Sequence, residues 1–240
     1  MPGKDIPMKI VKRVLIYLAG LLIIALGINV SKMSGLGISP VSSIPRALEV
    51  ASGGKFSLGT MVIVVYVLLV IAQLIVLRKK FKWFNILGVP VAIVFGWMVD
   101  FVGINPNTIG HLLANCPRPD QFTELAPVVL YLVRLAYLLV SIVIIGIGVA
   151  IYLSPKLVPM PAEGLAAAIS EISKKPFGNC KTLVDVSLIT IALLIQLIFL
   201  GGFASFTGAN VVVREGTILS AICVGQVVKF LNRKFKKKKD

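Results

Sequence analysis

The chain has 240 residues, of which 57% are hydrophobic and only 15% charged, and its mean hydropathy is +0.95. So few charges cannot cover the apolar surface of a soluble domain of this length, so an ordinary soluble protein is excluded. The net charge of +15 does not point to nucleic acid, because the basic residues gather at the ends of apolar runs, as in RKKFK (78–82) and RKFKKKK (233–239), where they orient spans and meet anionic lipid.

The first apolar run, Val14–Val30, is long enough to cross hydrocarbon and lacks a small-x-small cleavage site, so it is expected to stay as a span and not to be removed as a signal peptide. Directly after it, SGLGISPVSSIPRALEV (34–50) is too polar for lipid and too apolar for a surface loop. Ser39 before Pro40 is a favoured helix start, and Gly35 and Gly37 permit the turn that precedes it. Leu58–Leu77 and Phe84–Ile104 follow as spans, then a loop over 105–125 and a fourth span, Ala126–Leu153. A second odd segment, VPMPAEGLAAAISE (158–171), repeats the proline start and places Glu163 in the first turn with Gly164 beside it. Leu183–Leu200 and Thr217–Leu231 complete six expected crossings.

Two readings suit segments 36–51 and 159–173: re-entrant half-helices, or full spans kinked at proline. Charge placement favours the first. With both segments re-entrant, Lys4, Lys9, Lys12, Arg13, the 78–82 cluster, Lys156, Lys174, Lys175, Lys181 and the basic tail share the cytoplasmic face, leaving Lys32, Lys55, Arg118 and Arg214 outside. Full crossings would move RKKFK to the exterior. Both termini are therefore expected to be cytoplasmic.

The halves also align at an offset of 121: Gly27 with Gly148, Pro40 with Pro161, Ala47 with Ala168, Ser52 with Ser173 and Phe56 with Phe177. Three crossings per half is an odd number, so the second half starts from the opposite face. The expected fold is an all-α polytopic membrane protein, with six transmembrane helices plus two re-entrant half-helices in two inverted repeats. Repeat 1 covers about 12–104, the external loop 105–125, repeat 2 about 126–231, and a basic cytoplasmic tail 232–240. Inverted repeats with interrupted helices bind solutes near the midplane where the repeats meet.

A helix that starts inside the membrane must satisfy its first N–H groups with protein, water or ligand, and its positive end suits an anionic group. The candidate solute-binding residues are Ser39, Pro40, Ser42, Ser43, Pro161, Glu163, Gly164 and Asp185. Glu163 either caps its helix or binds solute or a proton. Asp185 either faces a cavity or pairs with Lys181 at i, i+4. Arg46 and Glu49, at i, i+3, are expected to pair with each other, and Asn29, Gln73 and Gln196 to form interhelical hydrogen bonds. Asp100 is expected at the membrane interface.

Cys116, Cys180 and Cys223 are widely separated, with no CxxC and no neighbouring histidine, so neither a disulfide framework nor a metal site is expected; His111, the single histidine, falls in a loop. No catalytic motif is present, so no enzyme activity and no cofactor are expected. The expected partners are a small solute and the lipid bilayer, without nucleic acid, and a homo-oligomer is compatible with the sequence. The expected function is secondary transport of a small anionic or zwitterionic solute, with a passive channel and a non-transport scaffold or regulator as the competing functions.

The segments SPVSSIPRALE, SLGTMVIVVYVLL and FGWMVD in the first half resemble the YitT/YczE family of bacterial integral membrane proteins, as do MPAEGL, DVSLI, VREGTI and VGQVVKF in the second. That resemblance implies a protein of the bacterial cytoplasmic membrane with a transport or regulatory role. The matching positions are Ser39, Pro40, Pro45, Gly59, Pro161, Glu163, Gly164, Asp185 and Gly216.

Overall fold

A computed structural model describes residues 5–80, 83–103, 119, 126–199 and 212–236. His111, Cys116, Arg118, most of the expected external loop, the glycine-rich link at 201–211 and the last four residues lie outside them. Among the described residues the fold is all-helical, with eight α-helices: α1 (Asp5–Ser34), α2 (Pro40–Ala51), α3 (Leu58–Leu77), α4 (Gly88–Val102), α5 (Pro127–Leu153), α6 (Pro161–Ser173), α7 (Phe177–Phe199) and α8 (Glu215–Lys236). Two short 3-10 turns, Arg78–Lys80 and Trp83–Leu87, lie between α3 and α4.

Five helical segments are long and apolar enough to cross a membrane: α1 from Ile10, α3, α4 together with the end of the 3-10 turn before it (Asn85–Val102), α5 and α7. Their outward faces carry large exposed hydrophobics such as Leu68, Ile75, Trp97, Leu132, Val186 and Ile198. A multi-pass membrane protein accounts for this surface, because lipid covers what water would not. The expected sixth crossing is weaker than its sequence promised. The apolar part of α8 ends at Val228, where Lys229 follows, and Glu215–Val228 spans only ~21 Å at 1.5 Å per residue against a hydrocarbon thickness of ~30 Å.

The two odd segments form the short helices α2 and α6, each starting at its proline, Pro40 and Pro161. The turn before α2 needs glycine twice. Gly35 has φ +66° and Gly37 φ +113°, and Gly37 also lies so close to Thr217 that a Cβ there would stand 3.1 Å from its backbone nitrogen. The same turn accepts a hydrogen bond at Leu36 O from Gly216 N–H at 3.0 Å, which ties it to the start of α8.

Packing between the halves is reciprocal. Helix α1 packs on α4 as α5 packs on α8; α2 packs on α7 as α6 packs on α3; and α2 meets α3 as α6 meets α7. The exception is the broad contact of α3 with α4, which has no counterpart of similar extent between α7 and α8 among the described residues. It is a small-residue contact, since a Cβ at Gly59 would strike the Gly96 carbonyl oxygen. Among the described residues α1 and α5 make the largest contact and run antiparallel, with Gly20 against Tyr152, Ile24 against Gly148 and Gly27 against Ile145.

Polar side chains inside the bundle are tied to backbone or to each other. Asn29 Nδ2 donates to Val99 O at 3.0 Å and Gln73 Nε2 to Pro161 O at 2.8 Å, while Gln196 Oε1 accepts from Val213 N–H at 2.8 Å. The first two are the interhelical bonds expected, while Gln196 instead holds the segment that leads into α8. Arg46 pairs with Glu49 at 2.6 Å as expected, and Lys32 joins the same carboxylate at 2.6 Å. Asp100 does more than sit at a boundary. It caps the start of α3, accepting from Gly59 N–H at 2.7 Å and from Ser57 Oγ at 2.5 Å.

Candidate functional site: a cavity between the halves

The starts of α2 and α6 open on one cavity of about 430 Å³, within the usual range of small-molecule sites, roughly 300–1,000 Å³. Ser39, Pro40 and Ser42 reach it from α2, and Met160, Ala162 and Glu163 from α6. Neither helix has a side chain capping its first turn. Ser39 holds the N-cap position, but its hydroxyl turns to Ser42 Oγ at 3.4 Å and not to a backbone N–H. Both positive helix ends are thus left for whatever occupies the space between them.

Helix α7 supplies a third wall. It begins at Phe177, six residues before the span expected from Leu183, and so carries Gly178, Lys181, Thr182 and Asp185 on one face at i, i+3, i+4 and i+7. Lys181 Nζ lies 3.4 Å from Asp185 Oδ1, the i, i+4 pair weighed as one of two readings; Asp185 also lines the cavity, so the two readings hold together. That separation is longer than the ~2.7–2.9 Å of a tight charge-assisted bond. Glu163 lies within electrostatic reach of both, yet among the described residues it forms no hydrogen bond or ion pair.

Five of the eight candidate residues, Ser39, Pro40, Ser42, Glu163 and Asp185, meet at the cavity; the other three stand behind it. Ser43 is fully buried and donates to Pro40 O at 2.6 Å. Pro161 shows its carbonyl to Gln73, and Gly164 lets that same amide approach, since a Cβ would come within 2.8 Å of Gln73 Oε1. Gln73 therefore holds the start of α6 in place.

Sequence reasoning missed Tyr66 and Thr182 as lining residues. Tyr66 is 1% exposed and stacks on Phe95 with ring centroids 5.7 Å apart. Its hydroxyl has no hydrogen-bond partner among the described residues, yet it is not sealed off as the Tyr152 hydroxyl is. Apolar side chains close the rest of the cavity: Ile24 and Ile28 of α1, Ile145 and Val149 of α5, Val224 and Val228 of α8.

Residues 11–233 match the model of a family of unknown function, DUF6198. The chain belongs to that family. Every DUF6198 residue named at the cavity falls inside the matched range. The chain is also 28% identical over 183 residues to the uncharacterized protein YyaS of Bacillus subtilis (strain 168), covering 75% of this chain and 79% of that one. No solved structure matches this DUF6198 chain.

Proposed function

We propose that this protein is a secondary transporter of a small anionic or zwitterionic solute, bound at the midplane between two inverted repeats. In this reading α2 and α6 are re-entrant half-helices, and α8 is the sixth crossing. Its short apolar stretch would be accommodated by local thinning of the bilayer. Both termini lie in the cytoplasm of a bacterium, as the basic clusters favour. The resemblance to YitT/YczE proteins belongs to the same reading, since its two most specific motifs, SPVSSIP and MPAEGL, are the starts of the two half-helices.

One observation carries the proposal: two uncapped helix starts, 121 residues apart in sequence, face a single cavity that also holds an unpaired carboxylate. A capping role alone gives no reason for the two ends to converge. A solute site does, because helix ends and carboxylate answer opposite charges of one molecule. Alternating access follows from rocking one half on the other about the α1–α5 contact.

Counterflow in proteoliposomes tests this. Vesicles preloaded with a pooled mixture of unlabelled amino acids and small carboxylic acids take up the corresponding tracers faster than empty vesicles if the protein is a carrier. Glu163→Gln and Asp185→Asn abolish the acceleration. Equal uptake with and without preloading indicates a channel, and no uptake above protein-free vesicles indicates a scaffold.

A further inference from the structure

Resting on the solute-site reading above, the charges of the cavity narrow the class of solute. We infer that it takes a zwitterion with an apolar body, whose ammonium group meets Glu163 and whose acid group meets Lys181 and the first turn of α2.

The only charged side chains lining the cavity among the described residues are Glu163, Lys181 and Asp185. Lys181 answers Asp185, which leaves the Glu163 carboxylate unanswered and a formal charge of −1. An isolated carboxylate held away from water is costly, so a cation brought to Glu163 is favoured. Each helix start contributes roughly +0.5 of an elementary charge, and the two together offset the −1. The site as a whole is near neutrality, with its positive and negative parts separated in space.

A bare anion would meet the helix ends but add its charge beside Glu163. A bare amine would satisfy Glu163 and leave both helix ends unanswered. A zwitterion satisfies both at once and brings no net charge into a low-dielectric space, where each unpaired charge costs most. The loose Lys181–Asp185 pair supports this division, because Lys181 can turn from Asp185 toward a solute acid group without first breaking a tight bond. The Tyr66 hydroxyl, 1% exposed and without a partner among the described residues, offers a donor and an acceptor at the same place. Ile24, Ile28, Ile145 and Val149 form an apolar wall that rewards an aliphatic or aromatic body and gives nothing to glycine.

Thermal unfolding of the purified full-length protein with matched probes tests the inference. The probes are L-leucine, L-phenylalanine and the dipeptide Leu-Leu, each with its N-acetylated and its decarboxylated twin, and glycine. At least one zwitterion should raise Tm by ~3 °C or more at saturation, while its twins and glycine shift it by less than a third as much. Glu163→Gln should lose the shift, and Glu163→Asp, which keeps the charge, should retain part of it. An acid-only or amine-only twin that stabilises as well as its parent overturns the inference. If that twin's effect disappears in Ser42→Ala or Glu163→Gln, the solute-site reading still stands. No shift with any probe counts against both.

Discussion

Gly27 lies against Ile145, and Gly148, its counterpart 121 residues later, lies against Ile24, the counterpart of Ile145. A Cβ at Gly27 would stand 2.5 Å from Ile145 Cγ1, and one at Gly148 would stand 2.7 Å from Ile24 Cγ1. Exchanging the halves turns one contact into the other, a reciprocity that supports the proposed repeat. The antiparallel run of α1 and α5 is what the proposed inverted repeats require of this pair.

The glycines of this contact are therefore predicted to be intolerant of even one methyl group. A Cβ at Gly20 would meet Tyr152 N at 2.6 Å, and one at Gly148 would meet Ile24 N at 2.8 Å, and backbone cannot step aside as a side-chain tip can. Gly20→Ala and Gly148→Ala should each destabilise by ~1–3 kcal/mol, read as lower Tm in detergent. Gly225→Ala meets nothing within 4 Å and should be neutral, or stabilise by up to ~1 kcal/mol through helix propensity. Equal losses at all three positions would contradict a close-packed α1–α5 seam.

Glu49 joins Lys32 of α1 and Arg46 of its own helix, with side chains 12%, 26% and 17% exposed. Removing the shared carboxylate leaves two cations facing each other in a mostly desolvated place. Glu49→Gln should cost on the order of 2 kcal/mol, below the ~3–5 kcal/mol of a fully buried pair. Lys32→Gln should cost less, because Arg46 still neutralises Glu49. Urea or thermal unfolding of both variants decides, and the opposite order would show that the cluster does not act as a unit.

The Asp100 cap holds α3 against α4 where Gly59 and Gly96 touch. Asp100→Ala should cost ~1–2 kcal/mol as a lost cap with an ionised acceptor. Asp100→Asn should recover part of this, since its amide oxygen still accepts from Gly59 N–H. A loss no larger than that of an exposed control such as Lys55→Ala would remove Asp100 from the fold's support.

Gln73 tests whether the start of α6 must be held still. Gln73→Leu removes the donor to Pro161 O and presses a branched chain toward Gly164. It should weaken probe binding at the cavity about tenfold or more, although Gln73 does not line it. Gln73→Glu keeps the shape but not the donor, so it should also be impaired. Binding unchanged in both variants would leave Gln73 with a packing role alone.

Much of this organisation was legible in the chain. Pro40 and Pro161 mark the starts of both short helices because proline is favoured at the first helical position. Other features depended on information that local pattern does not hold. Residues 177–182 read as polar and outside the span, yet Lys181 and Asp185 satisfy each other on one helix face and extend α7 back to Phe177. Ser42 and Ser43 could not be told apart by type. About 100° of helical rotation sends one to the cavity and the other to Pro40 O. Lys32 looked like an outer boundary residue, because its partner Glu49 sits on another helix.

The most direct measurement labels single cysteines, introduced at Lys4, Lys55 and Lys80 in a chain with its own three cysteines replaced, with a membrane-impermeant maleimide. Inverted halves with a re-entrant α2 place Lys55 outside and both Lys4 and Lys80 in the cytoplasm. In intact cells only the Lys55→Cys variant should then react, with the other two labelled once the membrane is opened. Labelling of Lys80→Cys from outside while Lys4→Cys and Lys55→Cys stay protected would mean that α2 crosses the bilayer, and the inverted arrangement would fail with it.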